Sequence, residues 1–359
     1  MQLKELRIEN LRNIACVTIE FAPGFNLLEG SNGAGKTSIL EAAHLLSHGA
    51  SFRAHKSELL VRRGSDMLSL FGEVGSGGAQ HRLGMLRRAG RWQARLDGDA
   101  ATTLSELFAA CAVVCFDPGS HSLISGGSEG RRSYLDWGLF HVEPAFADWS
   151  RRYRRALRQR NAVLKQQGGD DELAVWGHEM AVVAEPLTLA RERYVADLLA
   201  ALEPLFARFL PELGAPALRF RSGWPRGEVL AHSLAQGLAR DRLLGHSTRG
   251  PHRADWTLSF EAAPVHEQLS RGQEKLCAIA CLLAQAELFQ RVRGEWPIIA
   301  LDDFCSELDT PHQLECLAML AESGAQILMT GTDVPAVLLH RFPPSRTFHV
   351  EQGKVRALL

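Results

Sequence analysis

The sequence predicts an α/β fold interrupted by a helical insert, and three observations carry this reading. A short apolar strand, FNLLE at 25–29, runs through a glycine-rich loop into TSILEAAHLLSHG, whose apolar residues recur at helical spacing. Between about 131 and 210 the periodicity is helical throughout, in WSRRYRRALRQRNAVLKQ and again in ELAVWGHEMAVVAEPLTLARERYVADLLAALEPLFARFL. From about 245 strand and helix alternate again: RADWTLSF, RGQEKLCAIACLLAQAELFQ, WPIIALDD and TPHQLECLAMLAE.

The elements follow in order. LKELRIENL and CVTIEF alternate apolar with polar residues and predict a pair of strands closed by a Pro-Gly turn. MLSLFGEV, HRLGMLRR and RWQARLDG, separated by glycine-rich breaks, predict a β meander over 67–97. Gly168-Gly169-Asp170-Asp171 marks the turn between two long helices, and Pro186 and Pro204 are expected to kink or divide the second. ALRFRSGW, 217–224, reads as a strand closing the insert, and AQILMTGT and TFHVEQGKV as late strands. The expected organisation is a discontinuous α/β head at 1–120 and 245–359, with a β subdomain at about 60–100, and a helical insert at 121–244.

Composition narrows the class. With 359 residues, 46% hydrophobic and 23% charged, the chain is an ordinary globular protein with room for two or three domains. Its start, MQLKELRIEN, lacks the apolar core of a signal peptide, and its longest apolar stretch, Leu276 to Phe289, is broken by Gln285 and Glu287. A cytoplasmic protein without membrane contact is expected. Seven cysteines include two pairs at i,i+4 spacing and none at CxxC spacing, which argues for buried thiols against a zinc site or a disulfide framework. Net charge is −1, but residues 51–95 carry nine Lys/Arg against three acids, and 131–160 carry eight arginines against three acids. Such stretches suit either a solvated charged face or an anionic polymer, for which Arg87, Arg88, Arg91, Arg151 and Arg152 are the candidate contacts.

The chemistry-bearing motifs are local. Gly30-Ser31-Asn32-Gly33-Ala34-Gly35-Lys36-Thr37 fits GxxxxGK[ST], after a strand and at the opening of a helix. Glycines let backbone N–H groups converge on phosphate oxygens, and the helix N-terminus adds positive potential. Lys36 is one of only six lysines in a chain with 34 arginines. A flexible ammonium reaches β/γ phosphates through a nest that a planar guanidinium fits poorly. Thr37 offers its hydroxyl to Mg²⁺. Pro297-Ile-Ile-Ala-Leu-Asp302-Asp303 is an apolar strand ending in two acids; Asp302 is the candidate Mg²⁺ ligand, and Asp303 the group that polarises an attacking water. Leu269-Ser270-Arg271-Gly272-Gln273 opens a further helix. Ser270 is either a plain N-cap or a second phosphate cap, shared with Gly272 and Gln273. One nucleotide needs no second cap in one subunit, so the second would face the ATP of a second copy. ATP would then join a homodimer, with Ser306-Glu307-Leu308-Asp309 at the same seam.

In this order, the P-loop, LSxGQ, the Asp-Asp strand and SELD resemble the ABC-type ATPase heads of the SMC/recombination group. The resemblance tightens on the RecF family, through LKELRIENLRNI, GGSEGRRSYLDWGLF, TRGPHRADW and SRGQEKLCAIACLLAQAEL, and runs nearly end to end. It implies a head with mixed β-sheets and a helical insert but no long coiled coil. It also implies a DNA repair and replication protein that dimerises on ATP, binds duplex and gapped DNA, and assists RecA loading with RecO and RecR. Slow, DNA-stimulated ATP hydrolysis would serve as a switch; an ATP-bound scaffold with negligible hydrolysis is the alternative. The sequence departs from the family at Asp117-Pro-Gly-Ser120 and at Ala254, which stands where an aspartate is expected. No histidine follows the last core strand, where transporter ATPases have one, which leaves Thr330 or Thr332 as the substitute.

Overall fold

The computed structural model describes residues 1–53, 57–265 and 268–358; Lys56, counted among the basic residues above, lies outside them. Fourteen strands are present among the described residues: β1 (Gln2–Leu11), β2 (Ile14–Glu20), β3 (Phe25–Glu29), β4 (Met67–Ser76), β5 (Ala79–Arg88), β6 (Arg91–Leu96), β7 (Asp99–Ala100), β8 (Val113–Phe116), β9 (Pro216–Arg221), β10 (Asp255–Phe260), β11 (Ile298–Leu301), β12 (Ile327–Gly331), β13 (Arg346–Glu351) and β14 (Lys354–Ala357). The chain forms two units, Met1–His121 with Arg271–Leu359, and Ser122–Ser270.

The first unit is an α/β head with two six-stranded sheets. One runs β2-β1-β4-β5-β6-β7 and is antiparallel throughout. The other runs β14-β13-β3-β12-β11-β8 and is parallel except for the β13–β14 hairpin. β8, β11 and β12 are buried along their whole length, as strands covered on both faces must be, which is why they read as uninterrupted apolar runs. The Lys36–His48 helix is buried almost all round, and so is Arg271–Arg293 from Leu276 to Phe289. β3 lies between β12 and β13, parallel to both, and β11 runs parallel to β12. The loops after β3, β11 and β12 therefore leave one edge of the sheet together. A parallel sheet binds its ligands at this carboxyl edge.

The second unit is built on helices Ser128–Val142, Phe146–Lys165 and Asp170–Phe209. Neither Pro186 nor Pro204 divides the last, which runs on for 40 residues. Each proline forfeits one bond to the carbonyl four residues earlier; Val182 and Ala200, which own those carbonyls, are both exposed, so water replaces the lost donor. The expected boundary at 245 falls inside this unit. β10, read from sequence as a head strand, pairs with β9 over all six of its residues. A buried ion pair, Arg160 to Asp241 at 2.7 Å, anchors the loop that follows, with Arg160 also donating to Ser247 Oγ at 2.6 Å. Tyr153 and His252 Nδ1 bond at 2.7 Å, while His252 Nε2 contacts the Ser247 carbonyl at 3.0 Å. Only an N–H can meet that carbonyl, so the proton sits on Nε2 and Tyr153 donates to Nδ1. Burial agrees: it pushes His252 down to about 4 and raises Tyr153 well above the ordinary phenol range, keeping both neutral. Ala254 contributes its carbonyl to Arg132, and Asp255 takes Arg131 and Arg221. The GPHRAD stretch thus braces its own unit.

Candidate functional site

The strongest constellation sits in the head, at the edge where the loops after β3, β11 and β12 emerge. Gly30 follows β3 with φ +154°, and a Cβ there would lie 2.1 Å from the Val350 carbonyl oxygen, so no side chain fits. Gly35 holds φ +118° at the N-terminus of the Lys36–His48 helix. Lys36, 4% exposed, folds its ammonium back into the loop, donating to the Gly30 carbonyl at 2.6 Å, the Ser31 carbonyl at 3.1 Å and Thr332 Oγ1 at 3.2 Å. Three neutral acceptors leave its charge uncompensated, which is the state an incoming phosphate would answer.

Thr37 donates from Oγ1 to Asp302 Oδ1 at 2.9 Å, and Thr330 donates to the same oxygen at 2.8 Å. The Asp303 N–H completes the arrangement by donating to Thr330 Oγ1 at 2.9 Å. Asp302 is almost wholly buried, and its carboxyl is pushed up to about 6, first by burial and then by the nearby charges of Asp303 and Asp117; the two threonine hydroxyls pull it only partly back. Burial also raises Asp117, whose side chain caps its own turn by accepting from Gly119 N and Ser120 Oγ. A buried carboxylate met by two hydroxyls and crowded by acids is electrostatically suited to a cation. Carboxylate and hydroxyl oxygens at the mouth of a phosphate loop are the donor set Mg²⁺ takes, so the residues present fit that ion.

A cavity of about 280 Å³ opens on this edge, lined by the 32–38 loop, Asp303, Arg12, Asn13 and Arg53. Asp303 enters it from a left-handed backbone, φ +47°. Of the two threonines left open by the sequence, Thr332 contacts Lys36 and donates to Asn32 Oδ1 at 3.0 Å, whereas Thr330 lies buried under Asp302. Arg12, Asn13 and Arg53 carried no role in the sequence reading. Arg12 is held bidentately by Glu41, at 2.9 and 2.7 Å, and Asn13 donates to the Gly33 carbonyl at 3.0 Å. The β1–β2 turn is thus clamped onto the loop. Its one sequence signal is LRN at the end of β1, which matches a family motif without announcing a contact.

The remaining candidates scatter. Ser270 ends the second unit, and Gly272 and Gln273 lie in the first turn of the Arg271–Arg293 helix; neither Gly272 nor Gln273 lines the cavity. Lys275 of that helix pairs with Glu307 at 2.8 Å. Arg87 is a correction: it is buried, its guanidinium paired with Glu58 at 3.0 Å, because β5 turns 83, 85 and 87 inward and 82 and 88 outward. Arg88 and Arg91 are exposed and stand opposite each other across β5 and β6. Arg151 and Arg152 are exposed on the Phe146–Lys165 helix, Arg152 paired with Glu179 at 3.0 Å. Among the described residues no cluster of three or more His, Cys, Asp or Glu could hold a metal, and no helix is long and apolar enough to cross a membrane.

A phosphate loop opening a buried helix, an Asp-ended strand beside it, and an antiparallel sheet joined to a mainly parallel one define the ABC-type ATPase head of the SMC kind. The family model described as RecF/RecN/SMC N terminal domain matches residues 2–341. The chain is 49% identical to the DNA replication and repair protein RecF of Stenotrophomonas maltophilia, with all of both chains covered, and 37% identical to that of Shewanella baltica, again over both whole chains. Among solved structures, the recombination mediator protein RecF with ATP, of the RecFOR pathway, superposes with a TM-score of 0.91 at 26% identity, covering 99% of this chain and 97% of that one. An SMC head bound to a winged-helix domain of ScpA shares the fold alone, with a TM-score of 0.58 at 16% identity. The chain belongs to the RecF family.

Proposed function

We propose that this protein is an ATP-gated DNA-binding protein of bacterial DNA repair and replication. The observation that carries this reading is the juxtaposition of Lys36, its charge met only by neutral acceptors, with the buried Thr37–Asp302–Thr330 group. The loop amides and Lys36 bind the β/γ phosphates; Thr37 and Asp302 hold Mg²⁺, which supplies charge neutralisation on the phosphate oxygens. Thr332, bonded to both Lys36 and Asn32, senses whether the terminal phosphate is present. Asp303 orients water for slow hydrolysis. Ser270, Gly272 and Gln273 of a second copy close over the triphosphate, so ATP joins a homodimer whose basic surfaces face duplex or gapped DNA. Phosphate contacts by arginine give affinity without base readout, which suits a protein that reads DNA structure. The relative solved with ATP belongs to the RecFOR pathway, which supports RecO and RecR as partners; assistance in RecA loading is the outcome proposed.

Light scattering with ATP, ADP or no nucleotide, with and without gapped DNA, tests the reading. The wild-type chain should double in mass with ATP alone among the nucleotides, and Lys36→Ala should remain single. An unchanged ATP-driven dimer in Lys36→Ala, or equal DNA binding without nucleotide, would overturn it.

A further inference from the structure

The one-turn helix Phe304–Glu307 that follows Asp303 is held at its end by a residue that no motif singles out. Gln313 lies in the first turns of the Thr310–Ser323 helix, and its side chain is 2% exposed. It reaches back over its own helix start: Nε2 donates to the Cys305 carbonyl at 2.7 Å and to the Leu308 carbonyl at 2.5 Å. Two carbonyl oxygens can be met only by an NH₂ group, so the amide's orientation is not in question. Both of its hydrogens are used, and Oε1 finds no donor among the described protein groups. The two carbonyls flank Ser306 and Glu307. Ser306 returns its own N–H and hydroxyl to the Asp303 carbonyl, at 2.9 and 2.7 Å. Glu307 is tied to Lys275, in the second turn of the helix that Gly272 and Gln273 open. One buried amide thus closes a circuit from Asp303 through 305–308 to the Arg271–Arg293 helix.

We propose that Gln313 is a positioning residue: by bridging the Cys305 and Leu308 carbonyls it holds the 304–309 turn in the shape that sets Asp303 and presents Ser306–Asp309 to a second copy. This rests on the ATP-joined dimer proposed above. The amide acts through geometry and touches no reacting atom. A loop displaced by about 1 Å at such a place costs on the order of 100-fold in rate.

Two variants separate this role from mere packing. Gln313→Leu keeps the volume and removes both donors. Gln313→Glu keeps the shape but sets a carboxylate against two carbonyls; burial and those acceptors favour its protonated form, which restores one donor. ATP affinity of the single chain should stay within about twofold in both, because Lys36 and Thr37 are untouched. ATP-driven dimerisation and DNA-stimulated hydrolysis should fall roughly 10- to 100-fold in Gln313→Leu. In Gln313→Glu they should recover, relative to wild type, as pH falls from 8 to 6. Hydrogen exchange of the 304–309 amides, without nucleotide, should quicken in Gln313→Leu. Wild-type exchange at 304–309 in Gln313→Leu, or a Gln313→Glu defect that is flat with pH, would overturn the proposal. A wild-type chain that stays single in ATP would instead refute the dimer reading, and the exchange measurement would still decide whether Gln313 holds the loop.

Discussion

Asp302 makes a stability prediction that needs no nucleotide. Its carboxyl keeps a proton up to about pH 6 in the folded chain, against an ordinary 3.8. Between those values the folded state binds the extra proton, so stability falls as pH rises through the window and stays lowered above it. A shift of about 2 units corresponds to about 3 kcal/mol at pH 8, and roughly half of that at pH 5. Asp302→Asn removes the ionisation and keeps an Oδ1 acceptor for Thr37 and Thr330. The ligand-free variant should therefore be more stable than wild type by up to about 3 kcal/mol at pH 8, several degrees in Tm for a unit of this size. Its advantage should halve at pH 5 and vanish below pH 4. The assay is a set of thermal melts of both proteins from pH 5 to 8, without Mg²⁺ or nucleotide. With Mg²⁺ and ATP present the order should invert, because only wild type gains the ligand's stabilisation. An Asp302→Asn chain that melts below wild type at pH 8, or an advantage that does not shrink toward pH 5, would refute the reading of Asp302 as an acid awaiting a cation.

Further tests bear on the proposed seam and the proposed DNA face. Ser270→Arg should leave ATP binding by the single chain intact and block the ATP dimer in light scattering; lost ATP binding in the single chain would remove the role across the seam. Arg88→Ala with Arg91→Ala should weaken DNA binding and reduce the slope of log affinity against log salt by about 2, one phosphate contact each. Arg87→Ala should instead lower Tm with little change in that slope, since it strips the partner from Glu58 and empties a buried position.

How much of this was legible before the fold depended on how local each signal is. The phosphate loop could be read outright, because its glycines, Lys36 and Thr37 act within one turn of chain. Asp302 could be found as an acid ending an apolar strand, but its bond to Thr330 depends on β11 lying beside β12, which no local pattern states. Arg87 and Arg88 are equivalent in composition; only the register of β5 against β4 and β6 sends one inward and the other out. The boundary at 245 was misplaced for a similar reason. β10 reads as another strand of the alternating head, yet its hydrogen-bonding partner, β9, lies in the insert. Arg12 was hidden by distance: Glu41, which aims it, lies on the far side of the phosphate loop in sequence.

The stretch from Asp302 to Gln313 concentrates several local costs. Asp302 buries a carboxyl beside Asp303 and Asp117, Asp303 holds a left-handed backbone, and Gln313 buries a side-chain amide. A left-handed non-glycine residue costs on the order of 1–3 kcal/mol, with an aspartate at the low end. Packing around them does not relax these features. Phe304 is fully buried between Asp303 and the loop, its ring edge-on to Phe116, and Gln313 pins the loop from beneath. The surrounding core is therefore stable enough to impose a shape that the segment alone would not take. A segment so constrained gains more from a ligand whose cation offsets its crowded carboxylates than one already at its minimum. In the dimer proposed above, relaxing any one of the three residues should weaken ATP-driven closure in light scattering before it lowers the Tm of the head.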